Sequence, residues 1–198
     1  MTKTTKTILI VLGSLLLVCV CAVAVIFATG AWSIGKVVQW AGENVSEDPQ
    51  EVAQIASGIA EFKVPEGYSK PYGMKLADFT LVQYMTRDER TLLILAQFPA
   101  GTSINPDEML RQIREGRRDP NTSWHNMDTK LVEQKQVTIR GGETTLSLSE
   151  GINDQGILYR MANAVFQGKG AGPSLFILAA PADEWDDQVL EDFIASIR

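Results

Sequence analysis

Residues 8–28 form an unbroken apolar run, 21 positions long and free of charged side chains. At 1.5 Å rise per residue, a helix of this length measures roughly 31 Å, which matches the hydrocarbon core of a bilayer. Lys3 and Lys6 precede the run, and Trp32 follows it where an indole suits a membrane interface. The pattern predicts a transmembrane anchor over residues 1–30, with the N-terminus in the cytoplasm and the C-terminal domain outside.

The same run admits a second interpretation, a cleavable signal peptide. Such a peptide needs an apolar region of only about 7–15 residues, followed by small residues at the cleavage site. Ala22-Val23-Ala24 supplies small residues, but the apolar stretch continues through Phe27. An uncleaved anchor, with the lipid bilayer as partner through residues 8–28, is therefore favoured. Ala24 and Ala28 have the small-xxx-small spacing that lets two anchors pack as a homodimer.

Two stretches after the run have apolar residues at helical spacings of three and four. The first covers residues 32–45, and the second starts where Asp48 and Pro49 suit an N-cap and a first helical position. Together they predict a helical neck over residues 31–61. Residues 62–198 then form one domain of 137 residues, the usual size for a single core.

Strand patterns dominate residues 62–198, with short turns between neighbours. Two of the predicted strands are continuously apolar, as strands covered on both faces are. Gly141 and Gly142 predict a two-residue hairpin turn, because glycine tolerates positive φ at both positions. The predicted strands are residues 77–85, 91–98, 131–140, 143–149, 157–166 and 174–180.

Two helices are expected to cover this sheet. Asn105-Pro106-Asp107-Glu108 opens the first, and Asp183 caps the second, which has an acidic first turn. The apolar stripe of the second helix consists of Trp185, Val189, Leu190, Phe193, Ile194 and Ile197. The whole pattern predicts an α+β fold, in which an N-terminal transmembrane helix is followed by an antiparallel-sheet sandwich covered by helices.

Two short segments carry a resemblance to a known family. Phe62-Lys63-Val64-Pro65-Glu66-Gly67-Tyr68 resembles the F-x-x-P-x-G-Y/W opening of PsbP-like and DcrB-like sandwich domains, and Phe193-Ile194-Ala195-Ser196-Ile197-Arg198 is similar to their closing helix. The layout also resembles small single-pass bacterial membrane proteins of unknown function. The resemblance implies a sandwich fold and a mainly non-catalytic assembly or binding role. The anchor departs from the PsbP pattern, so no photosynthetic role is implied.

Charge and cysteine content narrow the possible functions. After the apolar run, the chain carries 16 Lys and Arg against 24 Asp and Glu, a net charge of −8 that disfavours nucleic acid as a partner. Cys19 and Cys21 are the only cysteines, and both lie inside the run. The exported part therefore has no disulfide, no metal–thiolate site and no thiol nucleophile.

The polar loop 117–128 contains the single histidine, His125, with Ser123, Asp119 and Asp128 nearby. A Ser-His-Asp triad would have to use these residues. No Gly-x-Ser-x-Gly elbow occurs in the chain, and one flexible loop gives a catalytic histidine no rigid seat. A solvated loop histidine is favoured, and a zinc site is not expected.

Acidic pairs occur at four places and are explained locally by a turn and by helix N-termini. Asn153-Asp154-Gln155-Gly156 is only a fragment of a calcium loop, and Gly168–Pro173 lacks the Ser/Thr of a Walker motif, which leaves a flexible hairpin loop. No metal and no cofactor are predicted. The pairs are Asp88-Glu89, Asp107-Glu108, Asp183-Glu184 and Asp186-Asp187.

The candidate binding residues are Arg111, Arg114 and Arg118, which share one face if the helix extends that far. Guanidinium groups in this arrangement grip phosphate or carboxylate, as in lipid head groups or an acidic partner. Glu108 and Glu115 partly neutralise them, so a solvated helix face is the alternative.

Overall the chain is predicted to be a non-enzymatic binding or assembly module of the cell envelope, with a protein partner there. The alternative is a membrane-bound hydrolase built from carboxylate and arginine residues.

Overall fold

The computed structural model describes residues 44–103 and 127–198. They belong to one compact unit, Asn44–Arg198. Its described elements are, in chain order, β1 (Val45–Ser46), α1 (Pro49–Ile59), β2 (Tyr68–Leu76), β3 (Phe79–Thr86), β4 (Leu92–Gln97), β5 (Asp128–Ile139), β6 (Gly142–Ile152), β7 (Leu158–Gln167), β8 (Pro173–Pro181) and α2 (Asp187–Ser196).

The strands form a single antiparallel sheet in the order β1-β2-β3-β4-β8-β7-β6-β5. Strands β2 to β4 are sequential neighbours, as are β5 to β8, and the two groups meet where β4 pairs with β8. All six residues of β4 and eight of the nine residues of β8 are buried. The two continuously apolar runs in the sequence are therefore the central strands, as their composition predicts.

Both described helices pack on the same side of the sheet, which we call the helix face. On this face, both helices pack against the inward side chains of the strands. The helix α1 contributes Val52 and Ile59 to this core, and α2 contributes Leu190 and Phe193. The opposite side, the second face, has its own buried cluster around Tyr159 and Ile177. Each central strand thus contributes alternate residues to two apolar layers.

The prediction of an α+β sandwich is wrong. The described residues form mainly β structure: eight strands against two helices of 11 and 10 residues. The strands are longer and more numerous than the hydrophobic pattern indicates, because β2 contains Pro71, Gly73 and two lysines and lacks a clear alternation. Pairing with β3, rather than its own composition, holds β2 in the sheet. The predicted helix that opens at Asn105 lies outside the described residues.

The prediction of a membrane-spanning, single-pass protein is also corrected. In residues 44–103 and 127–198, no helix is long and apolar enough to cross a membrane. The two helices span only about 16 Å each at 1.5 Å per residue, roughly half of a bilayer core. The apolar run 8–28 and Trp32 lie outside the described residues.

The helix α1 begins as predicted and packs on the sheet, while residues 31–43 of the predicted neck lie outside the described residues. The Asp48 side chain accepts hydrogen bonds from the backbone N–H groups of Gln50 (2.9 Å) and Glu51 (3.1 Å), which confirms the N-cap. Val52 and Ala56 are buried against the sheet. At Gly73 of β2, a Cβ atom would lie 2.9 Å from Ile55 Cδ1. This close approach makes α1 part of the compact unit.

Two boundaries differ from the sequence prediction by a few residues. The β5–β6 turn consists of Arg140 (φ 54°) and Gly141 (φ 78°), and Gly142 is the first residue of β6. The N-cap of α2 is Asp186, whose side chain accepts from the Gln188 N–H at 2.8 Å, rather than Asp183. The turn is set by the register of the β5–β6 pairing, whereas the cap is a local hydrogen bond two residues long.

The loop between β7 and β8 is hydrogen-bonded to a buried amide side chain and to the end of α1. The buried Gln97 side chain donates from Nε2 to the Gly172 carbonyl at 2.5 Å, and its Oε1 accepts from Ser174 Oγ at 2.7 Å. The Lys169 N–H donates to the Ile59 carbonyl at 2.8 Å. A Cβ on Gly168 would meet Ser174, Gln97 and the Ile59 carbonyl. The glycines allow the loop to approach a buried amide closely.

Candidate functional site

A groove of about 730 Å³ opens on the helix face, between the extended segment Glu61–Glu66 and the outer side of α2. From α2 and the chain end, its lining includes Val189, Asp192, Phe193 and Arg198. Its volume lies within the range of about 300–1,000 Å³ that is typical of ligand sites. The groove combines apolar and charged side chains in one concave surface.

Hydrogen bonds attach the segment to the C-terminus. The backbone N–H groups of Glu61 and Arg198 each donate to the other residue's carbonyl, at 3.0 and 2.8 Å. Further along, the Lys63 N–H donates to Ser196 Oγ at 3.0 Å, and the Ser196 hydroxyl donates to the Phe193 carbonyl at 2.7 Å. The two walls of the groove are therefore held at a fixed separation.

Aromatic packing forms the floor of the groove. The Phe62 ring contacts Phe193 edge-to-face, with centroids 5.9 Å apart, and Phe193 contacts Phe176 in the same way at 5.4 Å. Phe62 also meets the buried Tyr84 at 6.2 Å. These contacts fix Phe62, and Val64, two residues further along the same segment, is 37% exposed. An exposed valine beside a buried aromatic floor is a suitable contact for an apolar ligand group.

Charges of both signs surround the floor. Glu61 forms an ion pair with Lys169, at 2.5 Å between Oε1 and Nζ. The hydrogen bond and the positive charge of Lys169 hold the pKa of Glu61 below its ordinary value of 4.5. Lys63, Glu66 and Arg198 lie along the same rim and are exposed. The rim thus offers both donors and acceptors to a bound chain.

The motif that carries the family resemblance forms one wall of the groove and the turn after it. Gly67 has φ 92°, a conformation that favours glycine, and the Tyr68 N–H donates to the Pro65 carbonyl at 3.4 Å. Tyr68 packs against the core of the helix face, and this burial raises the pKa of its phenol. The motif residues therefore shape the backbone and the floor, rather than supplying a reactive group.

The acidic pairs within the described residues have structural partners. Asp88 accepts a hydrogen bond from Thr86 Oγ1 at 2.6 Å, which lowers the pKa of Asp88, while Glu89 pairs with Lys70. Glu184 pairs with Arg90 across the fold, and Asp187 accepts from Trp185 Nε1 at 2.8 Å. The pair Asp107-Glu108 lies outside the described residues. These carboxylates are used in turns, caps and ion pairs.

The calcium-loop fragment is a tight turn. Asn153 Oδ1 accepts from the Gln155 and Ile157 N–H groups at 3.0 and 2.9 Å, and Gly156 has φ 76°. Across residues 44–103 and 127–198, no three His, Cys, Asp or Glu side chains are grouped so as to hold a metal ion. The Asn153 oxygen serves the backbone of its own turn.

The predicted anion-binding residues Arg111, Arg114 and Arg118 lie outside the described residues, as do His125, Ser123 and Asp119. Among the known proteins compared with this chain, neither a family model nor a curated protein matches it.

The groove itself is not among the sequence predictions. Its two walls, residues 61–66 and α2, are more than 120 positions apart in the chain, so no local spacing links them. One signal was present: Val64 is an aliphatic residue in a short segment with charged residues on both sides, two positions after the aromatic Phe62. The structural role of Gln97 was not predicted either. A polar residue at the end of an apolar strand has the same local pattern as a solvated strand end.

Proposed function

We propose that this chain is a non-enzymatic binding or assembly module of the cell envelope, acting outside the cytoplasm. In this proposal the groove receives an extended apolar segment of a protein partner. The observation that carries the proposal is the combination of a fixed aromatic floor, an exposed Val64 and a rim of mixed charge. Such a surface discriminates ligands by shape and by hydrogen bonds.

Sequence features support the location. The uncharged run 8–28 suits export, whether the run is retained or cleaved. No cysteine occurs after Cys21, so the domain folds without disulfides in an oxidising compartment.

A carboxylate hydrolase is the competing candidate. Its general acid would need a pKa raised toward neutral pH, by burial or by a neighbouring negative charge. In the described part of the chain, Glu61 and Asp88 have a pKa shifted downward, by Lys169 and by Thr86 respectively. Neither of these two carboxylates therefore has the raised pKa that a general acid needs.

The direct test places a photo-crosslinking residue at Val64 in intact cells. We expect one dominant protein adduct, whose purified protein then binds the full chain in a titration. Val64→Glu should weaken this binding by about tenfold or more, because losing the burial of one aliphatic side chain costs about 1.5–3 kcal/mol.

The matched control is Ile152→Glu, which introduces the same charge at a 60% exposed aliphatic outside the groove. This variant should bind with unchanged affinity. The proposal would be contradicted if Val64→Glu left the affinity unchanged, or if both substitutions weakened the affinity equally.

A further inference from the structure

The strand β5 ends the sheet on one side, and no other described strand pairs with its outer edge. Leu131 and Val132 on this strand are 50% and 55% exposed, which is unusual for large aliphatics in a strand. Unpaired edge strands offer free backbone hydrogen-bonding groups to another chain. Among the described residues, the outer edge of β5 is therefore open to pairing with another chain.

The hairpin turn determines which backbone groups are free. Because Arg140 and Gly141 form a two-residue turn, Ile139 and Gly142 close it as a hydrogen-bonded pair. Bonding alternates from there, so Gln134, Gln136 and Thr138 lie in pairs that are not hydrogen-bonded to β6. Their N–H and C=O groups point to the outer edge.

Side-chain contacts agree with this assignment. Gln134 Nε2 donates to Ser147 Oγ at 3.1 Å, and Gln136 Nε2 donates to Thr145 Oγ1 at 3.0 Å. Pairs without backbone hydrogen bonds bring opposite side chains closer together. The free edge thus has a regular ladder of outward groups from Gln134 to Thr138.

Charge complementarity indicates the occupant. Glu133 and Lys135 are two residues apart and share the helix face with Ile139. If two copies pair antiparallel with Gln134 opposite itself, Glu133 of each copy faces Lys135 of the other. Shifting the centre to residue 135 places Lys135 against itself, and shifting it to residue 136 places Lys135 against Val137. Only the first register pairs opposite charges.

We propose that two copies of this chain associate through antiparallel pairing of β5 centred on Gln134. The contact is two-fold symmetric, so the β5 edge of each copy is paired with that of the other. No β5 edge is left to add a third copy, and the assembly ends at the dimer. A β-bulge between Leu131 and Glu133 interrupts the regular ladder and limits its length.

Charge reversal tests the pairing on the purified full chain by sedimentation velocity over a range of concentrations. Glu133→Lys or Lys135→Glu alone should weaken dimerisation by about tenfold or more, because each creates two like-charge contacts. The double variant Glu133→Lys/Lys135→Glu should restore the dimer. A wild-type chain that stays monomeric, or a double variant no better than the singles, would overturn the proposal.

A cysteine scan tests the register independently, in a background with Cys19→Ser and Cys21→Ser. Hydrogen-bonded antiparallel partners have Cα atoms about 5.5 Å apart, which permits a disulfide. Mild oxidation should therefore cross-link Gln134→Cys into a covalent dimer and leave Gln136→Cys and the distant Ser57→Cys monomeric. Preferential cross-linking of Gln136→Cys would overturn the register, and equal cross-linking of all three would overturn the interface.

Discussion

At the residue scale, one buried amide governs the loop between β7 and β8. Gln97 is 5% exposed, and its side chain satisfies the carbonyl of Gly172 and the hydroxyl of Ser174. The amide also accepts from the Gly170 N–H at 3.3 Å. A buried polar group that lacks a hydrogen bond destabilises the folded state. The hydrogen bonds between the Gln97 amide and the loop therefore hold both in one arrangement.

Two glycine-to-alanine substitutions should change stability in opposite directions. At Gly168, a Cβ would lie 2.9 Å from the Ile59 carbonyl and would also press on Gln97, so Gly168→Ala should destabilise the fold by roughly 1–3 kcal/mol. Gly58 lies inside α1 with nothing within 4 Å of a Cβ, so Gly58→Ala should stabilise by about 0.5–1 kcal/mol. Urea unfolding of both variants measures the difference, and the same sign for both would contradict it.

The Glu61–Lys169 ion pair should contribute to acid sensitivity. Folding lowers the pKa of Glu61, so the folded state gains stability above the ordinary pKa of 4.5, and this gain is lost as pH falls through the lowered value. Glu61→Gln and Lys169→Met should each reduce the loss of unfolding free energy between about pH 6 and about pH 3. Unfolding curves with the same pH dependence as the wild type would contradict this.

At the element scale, prediction from sequence succeeded where burial and composition agree. The apolar runs of β4 and β8 and the cap of α1 at Asp48 were recognisable locally. The strand β2 was not recognisable from the local sequence. Gly73 lowers its strand propensity, and the glycine is needed because α1 packs too closely there for a Cβ atom. The turn at Arg140 was also missed, since an arginine with φ 54° is held by the pairing of its two strands.

The packing of α2 gives a prediction for its central aromatic residue. Phe193 is 2% exposed and contacts both Phe62 and Phe176, so Phe193→Ala should cost roughly 3–5 kcal/mol. Glu191→Ala, at an exposed position of the same helix, should change stability by less than about 0.5 kcal/mol. Thermal melting of the full chain compares the two variants. An unchanged melting temperature for Phe193→Ala would show that α2 does not depend on this ring.

At the scale of the whole molecule, the sequence predicts single elements better than their assembly. The antiparallel pairings between neighbours follow from short turns, but the β4–β8 pairing and the groove depend on residues far apart in the chain. The fold class was mistaken because β2 and the strand extensions carry little local signal. The arginine site of the sequence prediction remains a prediction, since its residues lie outside the described ranges.

The proposed location outside the cytoplasm is testable with one introduced thiol. Ile152→Cys places a cysteine at a 60% exposed position, in a chain with Cys19→Ser and Cys21→Ser. A membrane-impermeant maleimide should label this cysteine in intact spheroplasts of a bacterial host. Labelling only after lysis would place the domain in the cytoplasm and contradict the proposal.

The β4–β8 pairing also imposes an order on biosynthesis. Ile94 pairs with Ile177, 83 positions later, so β4 leaves the ribosome long before its partner exists. At about 5–20 residues per second, a nascent chain waits about 4–17 seconds with this strand open along one side. A bare apolar edge of this kind recruits chaperones or other nascent chains. Chains truncated before Pro173 lack β8, so the apolar edge of β4 would stay unpaired and we expect these chains to aggregate.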